Sequence, residues 1–486
     1  MKTFKDFSKL IILLIALFLL FSCSGNDSQL FPPWHTFYGS NTDERAYAVA
    51  VDNVNDVYIV GRSISTWNGP TGQLPLHSHS SSGAAEDIFV LKLDRNGNYL
   101  WHTFYGTPDY KDYARGVAID EDNNVYISGF SRNSWNGPNT EIPRHAYTGD
   151  GEDNDGNAFV LKLDTNGIYQ WHTFYGSGVD FDDDRGIALD ADANVYLAMK
   201  SHATWNVGAT APLHEHSGSR DLTIVKLNSN GIYQWHTFYG SADVEECNSI
   251  AVDNNANVYV TGYSKATWNA GSTTPLHSHS GGDDITVLKL DKDGTYQWHT
   301  FYGSALQDQG NGITFDTTGN IYLTGFSADT WNSGTTTPLH AYAGNHDIMV
   351  MKLNSAGTYQ WHTFYGSASA NDYGNDLVVD NNGNIYVAGR SLATWQSGDG
   401  DNPLHAYTGG EDIMNLKLNT DGNYLWHTFY GSATNDRGQD IALDSRGLIH
   451  TAGYSDNTWL RENNSEPLHS YSASYDMFDL CISGNR

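Results

Sequence analysis

Histidines, carboxylates and tryptophans recur along this chain at positions where chemistry could be built. Seven inserts each carry Pro-Leu-His or a variant, with His at 77, 145, 214, 277, 340, 405 and 469. In three of them a second His follows (His77/His79, His214/His216, His277/His279), and such a pair can ligate zinc. The other four have Tyr147, Tyr342, Tyr407 or Tyr471 there. Tyr keeps a flat ring with a polar tip and loses the nitrogen ligand, so packing explains the exchange better than coordination.

Carboxylates repeat as well. Glu44, Asp112, Asp182, Glu245, Asp308, Asp372 and Asp436 stand at one repeat position. A ring of seven acids there would cap backbone donors of a connecting turn or gather cations. The densest run is Asp180, Asp182, Asp183 and Asp184, a candidate calcium site. Asp153 and Asp155, in Asp153-Asn154-Asp155-Gly156, form a second. That run has the oxygen ligands and glycine of a calcium loop but no closing bidentate Glu. No other cofactor is expected.

Each insert also holds a Trp: Trp67, Trp135, Trp205, Trp268, Trp331, Trp395 and Trp459. Asn follows in five copies, so the rings are candidate ligand-binding platforms beside amide groups. The competing reading is that each Trp anchors its loop by burying apolar area. Six Lys residues (92, 162, 226, 289, 352 and 417) recur in third strands, with Cys481 in the seventh copy. An ion pair, or a Lys stem lying over the neighbouring repeat, accounts for them. No Ser/His/Asp constellation, phosphate-cradling loop or dinucleotide fingerprint is present. A catalytic site needs a differentiated environment to shift a pKa, and seven near-identical copies offer none, so the expectation is a non-enzyme. The rival is a polysaccharide-acting enzyme using the acidic ring and insert histidines. The copies that break the pattern are repeat three (Asp182 to Asp184, Met199, Lys200, His202) and repeat two (Asp150 to Asp155).

What positions these residues is a repeat. Trp-His-Thr-Phe-Tyr-Gly occurs seven times, with Trp at 34, 101, 171, 235, 298, 361 and 426. Periods of this size indicate stacked copies of one supersecondary unit. In the fourth copy, Ser249–Asp253, Val258–Gly262, Asp284–Leu290 and Tyr296–Tyr302 read as four short strands joined by Asn/Asp/Gly turns, with a 20-residue insert at Ser264–Asp283. The predicted fold is all-β: a seven-bladed β-propeller with four antiparallel strands per blade. The last copy lacks a fourth strand, and Trp34–Tyr38 supplies it from the other terminus, removing two sheet edges. Strand parity puts the inserts and the inter-blade connections on one face.

The stretch Trp298-His299-Thr300-Phe301-Tyr302-Gly303, followed by Gly312-Ile313-Thr314-Phe315-Asp316-Thr317-Thr318-Gly319-Asn320-Ile321-Tyr322-Leu323-Thr324-Gly325, resembles the bacterial seven-bladed β-propeller repeat (SBBP) family. The resemblance spans roughly 34–486. It implies the fold and no agreed enzymatic activity, so it carries over no catalytic residue. The Trp-Asn and Pro-Leu-His inserts lie outside the family's core pattern.

Ahead of the repeats, Lys2, Lys5 and Lys9 precede an apolar run from Leu10 to Phe21. That run is short for a permanent span and reads as a secretory signal over 1–22. Leu20-Phe21-Ser22-Cys23 resembles a lipobox, which marks Cys23 for lipidation, 23–33 as a tether and 34–486 as the propeller. Phe21 replaces the usual small residue, which leaves ordinary signal-peptidase cleavage as the alternative. The formal charge is −30, which disfavours nucleic acid and anionic membranes. The expectation is an exported binding scaffold on the bacterial outer membrane or cell surface, touching membrane only through its lipid. Its insert face is expected to recognise an extracellular glycan or protein.

Overall fold

Turns rich in Gly, Asn and Asp cut the repeats into short strands, and the strands pair with their nearest neighbours. The computed structural model describes residues 33–80, 85–149, 155–461 and 464–484. Cys23 and Asp153 therefore lie outside the described residues. Within Trp34–Arg486, twenty-eight strands form seven four-stranded antiparallel sheets. Six sheets use four consecutive strands. The seventh joins Trp34–Tyr38 to the last three strands of the chain, in a register running from Trp34 opposite Cys481 to Tyr38 opposite Met477. The chain is a seven-bladed propeller closed by its N-terminal strand, as the sequence predicts.

Second and third strands are buried on both faces, because each blade is sandwiched between two others. Asp284–Leu290 in blade four is an example. One apolar cluster joins Ala198 and Ile224 of blade three to Val260 and Leu288 of blade four. The first strands differ from the expectation. In blade four the strand is Glu245–Val252 and starts four residues before Ser249. The added residues are polar and read as linker in the sequence. A bulge explains how they fit: pairing skips one residue between Cys247 and Ser249, and all seven first strands skip at the same place. A bulge re-aims a side chain. The skipped residues, among them Arg115, Arg185, Asn248 and Asn311, line the central channel.

At the plain end of each blade, an Asp that closes the first strand nucleates the hairpin. Asp253 Oδ1 accepts from the backbone N–H of Asn255 and Asn257 at 2.8 and 2.9 Å, and Tyr259 donates to its Oδ2 at 3.2 Å. The third-strand lysines lie over these tyrosines, with Lys92 Nζ 4.8 Å from the Tyr58 ring centre. Lys92 also reaches into the next blade, donating to Thr165 Oγ1 at 3.0 Å. Ion pairing to Asp52 at 3.6 Å and the overlying stem are thus both present. Cys247 and Cys481 are free and buried.

The inserts do not stand up from the face. Each one folds back along the outer strand of its blade. Leu276 N–H donates to the His299 carbonyl at 2.9 Å, and Phe301 N–H donates to the His277 carbonyl at 3.2 Å. The same two bonds occur in all seven blades. The inserts therefore cover the edge of the fourth strand, which would otherwise present unpaired backbone groups.

Candidate functional site

The hexapeptide works as a set of contacts. Its His stacks on the insert Trp of the same blade, with ring centres 3.8–4.1 Å apart. The His Nε2–H donates to that Trp's carbonyl, as in His299 to Trp268 at 3.0 Å. In six blades a Tyr three residues earlier donates its hydroxyl to Nδ1, as Tyr296 does to His299 at 2.8 Å. Blade seven has Pro32 at that position. These bonds require neutral imidazole, and burial holds the six equivalents and His35 near pKa 4. The hexapeptide Tyr stacks on the insert His at 4.8–5.2 Å.

The insert tryptophans (67, 135, 205, 268, 331, 395 and 459) are 3–7% exposed, so their rings face the protein. The insert histidines donate Nδ1–H to the carbonyl of the hexapeptide Phe, as His277 does to Phe301 at 2.8 Å. The second His of a pair turns elsewhere: His279 Nε2 bonds to the Ser264 carbonyl at 3.0 Å. Tyr342 in the same position donates to the Ala328 carbonyl at 2.8 Å. His and Tyr interchange here because each delivers one hydrogen-bond donor.

The repeated acids are fully buried; six open the first strand of their blade, and Asp182 directly precedes its strand, Asp183–Leu189. Asp308 accepts from the backbone N–H and hydroxyl of Ser304 at 2.6 and 2.7 Å, and from the Ser327 hydroxyl. This is the turn-capping role. The third strand of the preceding blade contributes a partner that the sequence reading missed: Asp87, Asn157, Asp221, Asp284, Asp347, Asp412 or Asp476, all fully buried. The two side chains press on the hexapeptide Gly. A β-carbon at Gly303 would lie 2.7 Å from Asp284 Oδ1 and 2.9 Å from Asp308 Oδ2, and the other six junctions repeat this. Burial, reinforced by like charge, raises these carboxyls. Asp112, Asp182, Asp372 and Asp476 reach about 7, and Asp284, Asp347, Asp412 and Asp436 about 6.

The candidate calcium ligands are dispersed. Asp180 contacts His202 at 2.8 Å. Asp182 belongs to a junction, where Ser177 and Ser201 donate to it. Asp183 faces Arg115 and Arg185, both at 3.3 Å. Burial alone would raise its pKa, but Arg115, Arg185 and Lys200 hold it below the ordinary carboxylate range. Asp184 points between blades and accepts from Ser128 at 2.6 Å, with burial pushing its pKa well up. Asp155 accepts from Tyr147 at 2.8 Å. Among the described residues, no group of three or more His, Cys, Asp or Glu is arranged to hold a metal.

The remaining site is the central channel, a cavity of about 450 Å³ walled by the first strands. Its insert-side mouth is where the repeats diverge. The residue after the repeated acid is Arg45, Tyr113, Asp183, Glu246, Gln309, Tyr373 or Arg437. The residue before the invariant Ser of the second strand is Arg62, Phe130, Lys200, Tyr263, Phe326, Arg390 or Tyr454. Around blades two to four these residues form an ion-pair cluster. Arg185 reaches Glu246 at 3.4 Å, Lys200 lies 3.9 and 3.8 Å from Asp183 and Glu246, and Arg220 pairs with Glu246. Repeat three was one of the two pattern-breaking copies in the sequence, with repeat two, and its Lys200 belongs to this cluster. Met199 is fully buried.

The SBBP family, described as a beta-propeller repeat, matches residues 100–131, 234–267, 297–327 and 360–394. Each match runs from a fourth strand into the first two strands of the next blade. An uncharacterized WD repeat-containing protein of Acanthamoeba polyphaga mimivirus is 22% identical, over 83% of this chain and 33% of its own length. The chain thus spans about a third of that relative. The WD40 domain of Neurospora crassa Pan2 aligns with a TM-score of 0.43 at 10% identity, covering 91% of this chain and 90% of that one. A gluconolactonase from Xanthomonas campestris aligns at 0.32 and 11%, covering 74% and 90%.

Proposed function

We propose that this chain, an SBBP beta-propeller repeat protein, is an exported, lipid-anchored scaffold that recognises an extracellular glycan or protein at the insert-side mouth of its central channel. The observation that carries this is where the sevenfold pattern fails. Trp, His, Tyr, Gly and the paired acids repeat because each is consumed by packing or hydrogen bonding inside a blade or junction. The mouth alternates Arg, Tyr, Asp, Glu, Gln, Lys and Phe from blade to blade. Conformational demands are the same in every blade, so divergence there fits selection for a surface. Anchoring rests on the leader and Cys23.

Two measurements test the reading. The protein is offered to immobilised glycan and host-protein panels, and the captured ligand is competed with mouth substitutions such as Tyr263→Ala and Arg390→Gln. Capture weakened by these changes supports the mouth, and capture indifferent to them places recognition elsewhere. For the anchor, detergent partitioning of the natural chain is compared with Cys23→Ser. The natural chain is expected in the detergent phase and the variant in the aqueous phase or as unprocessed precursor. Equal partitioning of a fully processed variant removes the lipid from the proposal.

A further inference from the structure

We propose that the cationic cluster between blades two, three and four binds the acid group of an acidic saccharide. This rests on reading the channel mouth as a recognition surface. Among the described residues, Arg115, Arg185, Lys200 and Arg220 form their ion pairs with two carboxylates, Asp183 and Glu246. Asp184 stands apart from these ion pairs: it is enclosed between blades and accepts from Ser128 at 2.6 Å, and burial pushes its pKa well up. Among the described residues, these cations outnumber by two the carboxylates they pair with directly, in a chain whose formal charge is −30.

Joining neighbouring blades does not require this surplus. At the same bulge position, Asn248 and Asn311 link their blades to the next through neutral amides, donating to the Gly310 and Gly374 carbonyls at 3.0 and 2.9 Å, with a further bond from Asn248 to Asn311 Oδ1 at 3.3 Å. Arg115 and Arg185 do the same work through Asp183 and Glu246. Lys200 and Arg220 are additional. Lys200 stands 3.8–3.9 Å from carboxylates already taken by arginines, and burial followed by repulsion from Arg185 lowers its pKa to about 8. The side chains stay reachable: those of Arg185 and Arg220 are 22% and 28% exposed.

An oxyanion would pair with this surplus through charge-assisted hydrogen bonds. Sugar is the better carrier for two reasons. Tyr263 lies directly opposite Glu246 in the sheet, and an aromatic ring can pack on a pyranose face. Asn248 and Asn311 line the adjoining channel wall. A densely charged polyanion is disfavoured by the chain's overall charge, whereas one or two acid groups match the surplus.

The test uses the full chain with trigalacturonate, neutral maltotriose, triglutamate and sodium sulfate, by calorimetry at matched ionic strength. Trigalacturonate is expected to bind most tightly. Lys200→Met and Arg220→Gln should each weaken it at least tenfold, with Lys200→Arg close to natural. Thermal melts check folding, and Arg220→Gln, at the more exposed position, serves if Lys200→Met does not fold. No binding of trigalacturonate, or equal binding of maltotriose, sulfate or triglutamate, overturns the proposal. A panel glycan captured equally by the folded Lys200→Met and Arg220→Gln variants overturns this site and leaves the scaffold reading standing on another part of the surface.

Discussion

At the residue scale, the hexapeptide is a joint whose His and Tyr are both clasped by the insert of the same blade. Trp268 stacks on His299 at 3.8 Å, and its carbonyl holds the imidazole that Tyr296 fixes from the other side. Trp268→Ala removes a buried ring and leaves a cavity, a change that costs about 3–5 kcal/mol. Urea denaturation should show that loss; a variant of unchanged stability that no longer binds ligand would make the tryptophans a recognition platform. Gly303 is a second point of failure. A methyl group there meets the Asp284 and Asp308 carboxyls at 2.7 and 2.9 Å, so Gly303→Ala should lower the melting temperature. Overpacking of a close-packed site typically costs about 1–3 kcal/mol. An undisturbed melt would show that the junction relaxes around an added methyl.

At the element scale, the closing strand is the clearest device. Trp34–Tyr38 completes blade seven, where Phe37 joins Tyr386, Ile441 and Phe478 in one apolar cluster. Removing residues up to 40 leaves a three-stranded blade with an open edge. The truncated chain is expected to aggregate or melt well below the natural one, and a melt coincident with the natural protein would reject closure as a source of stability. Much of this was legible in the sequence, because each strand of a repeat is bounded by Gly, Asn or Asp and seven copies average out local ambiguity. The first strands were read short because Glu245, Glu246 and Asn248 look like linker, and a bulge has no sequence signature of its own. Strand parity assigned the inserts to one face, but not their course along the outer strand. The backbone bonds from Leu276 and to His277 that lay them along the outer strand depend on tertiary placement. Of the candidate sites, the acids and tryptophans were found as repeats, but repetition itself could not distinguish a buried joint from a ring of ligands. Only the divergence in repeat three pointed toward the mouth.

At the scale of the whole molecule, the repeats place two opposing sets of titrating groups in every part of the ring. The hexapeptide histidines are held near 4, below the ordinary value of about 6.5, so their contribution to stability is present above 6.5 and is lost as pH falls toward 4. The junction carboxyls are raised, so the folded chain keeps protons that the unfolded chain releases. Their contribution is present below the unfolded value of about 4 and is lost as pH rises through 6 to 7. Blade seven adds to the second set. His450 and Cys481 replace the usual Tyr and Lys there. Burial alone would lower the His450 pKa, but Cys481, Asp479 and Asp444 raise it well above the ordinary value. The two sets oppose each other between pH 4 and 6.5. Above 6.5 the histidines are neutral in both states, and Asp112, Asp182, Asp372 and Asp476, near 7, still titrate. Between pH 6 and pH 8 each such carboxyl should therefore cost the fold on the order of 1 kcal/mol, while the histidines, largely protonated in the unfolded chain at pH 6, move stability the other way. Asn157 already stands in place of the third-strand acid at one junction, so Asp476→Asn is a tolerable way to remove one proton from the balance. Chemical denaturation at pH 6 and 8 should show the stability of the natural chain relative to Asp476→Asn falling by on the order of 1 kcal/mol as pH rises. A difference between the two chains that is the same at pH 6 and pH 8 would mean that Asp476 does not take up a proton within the fold.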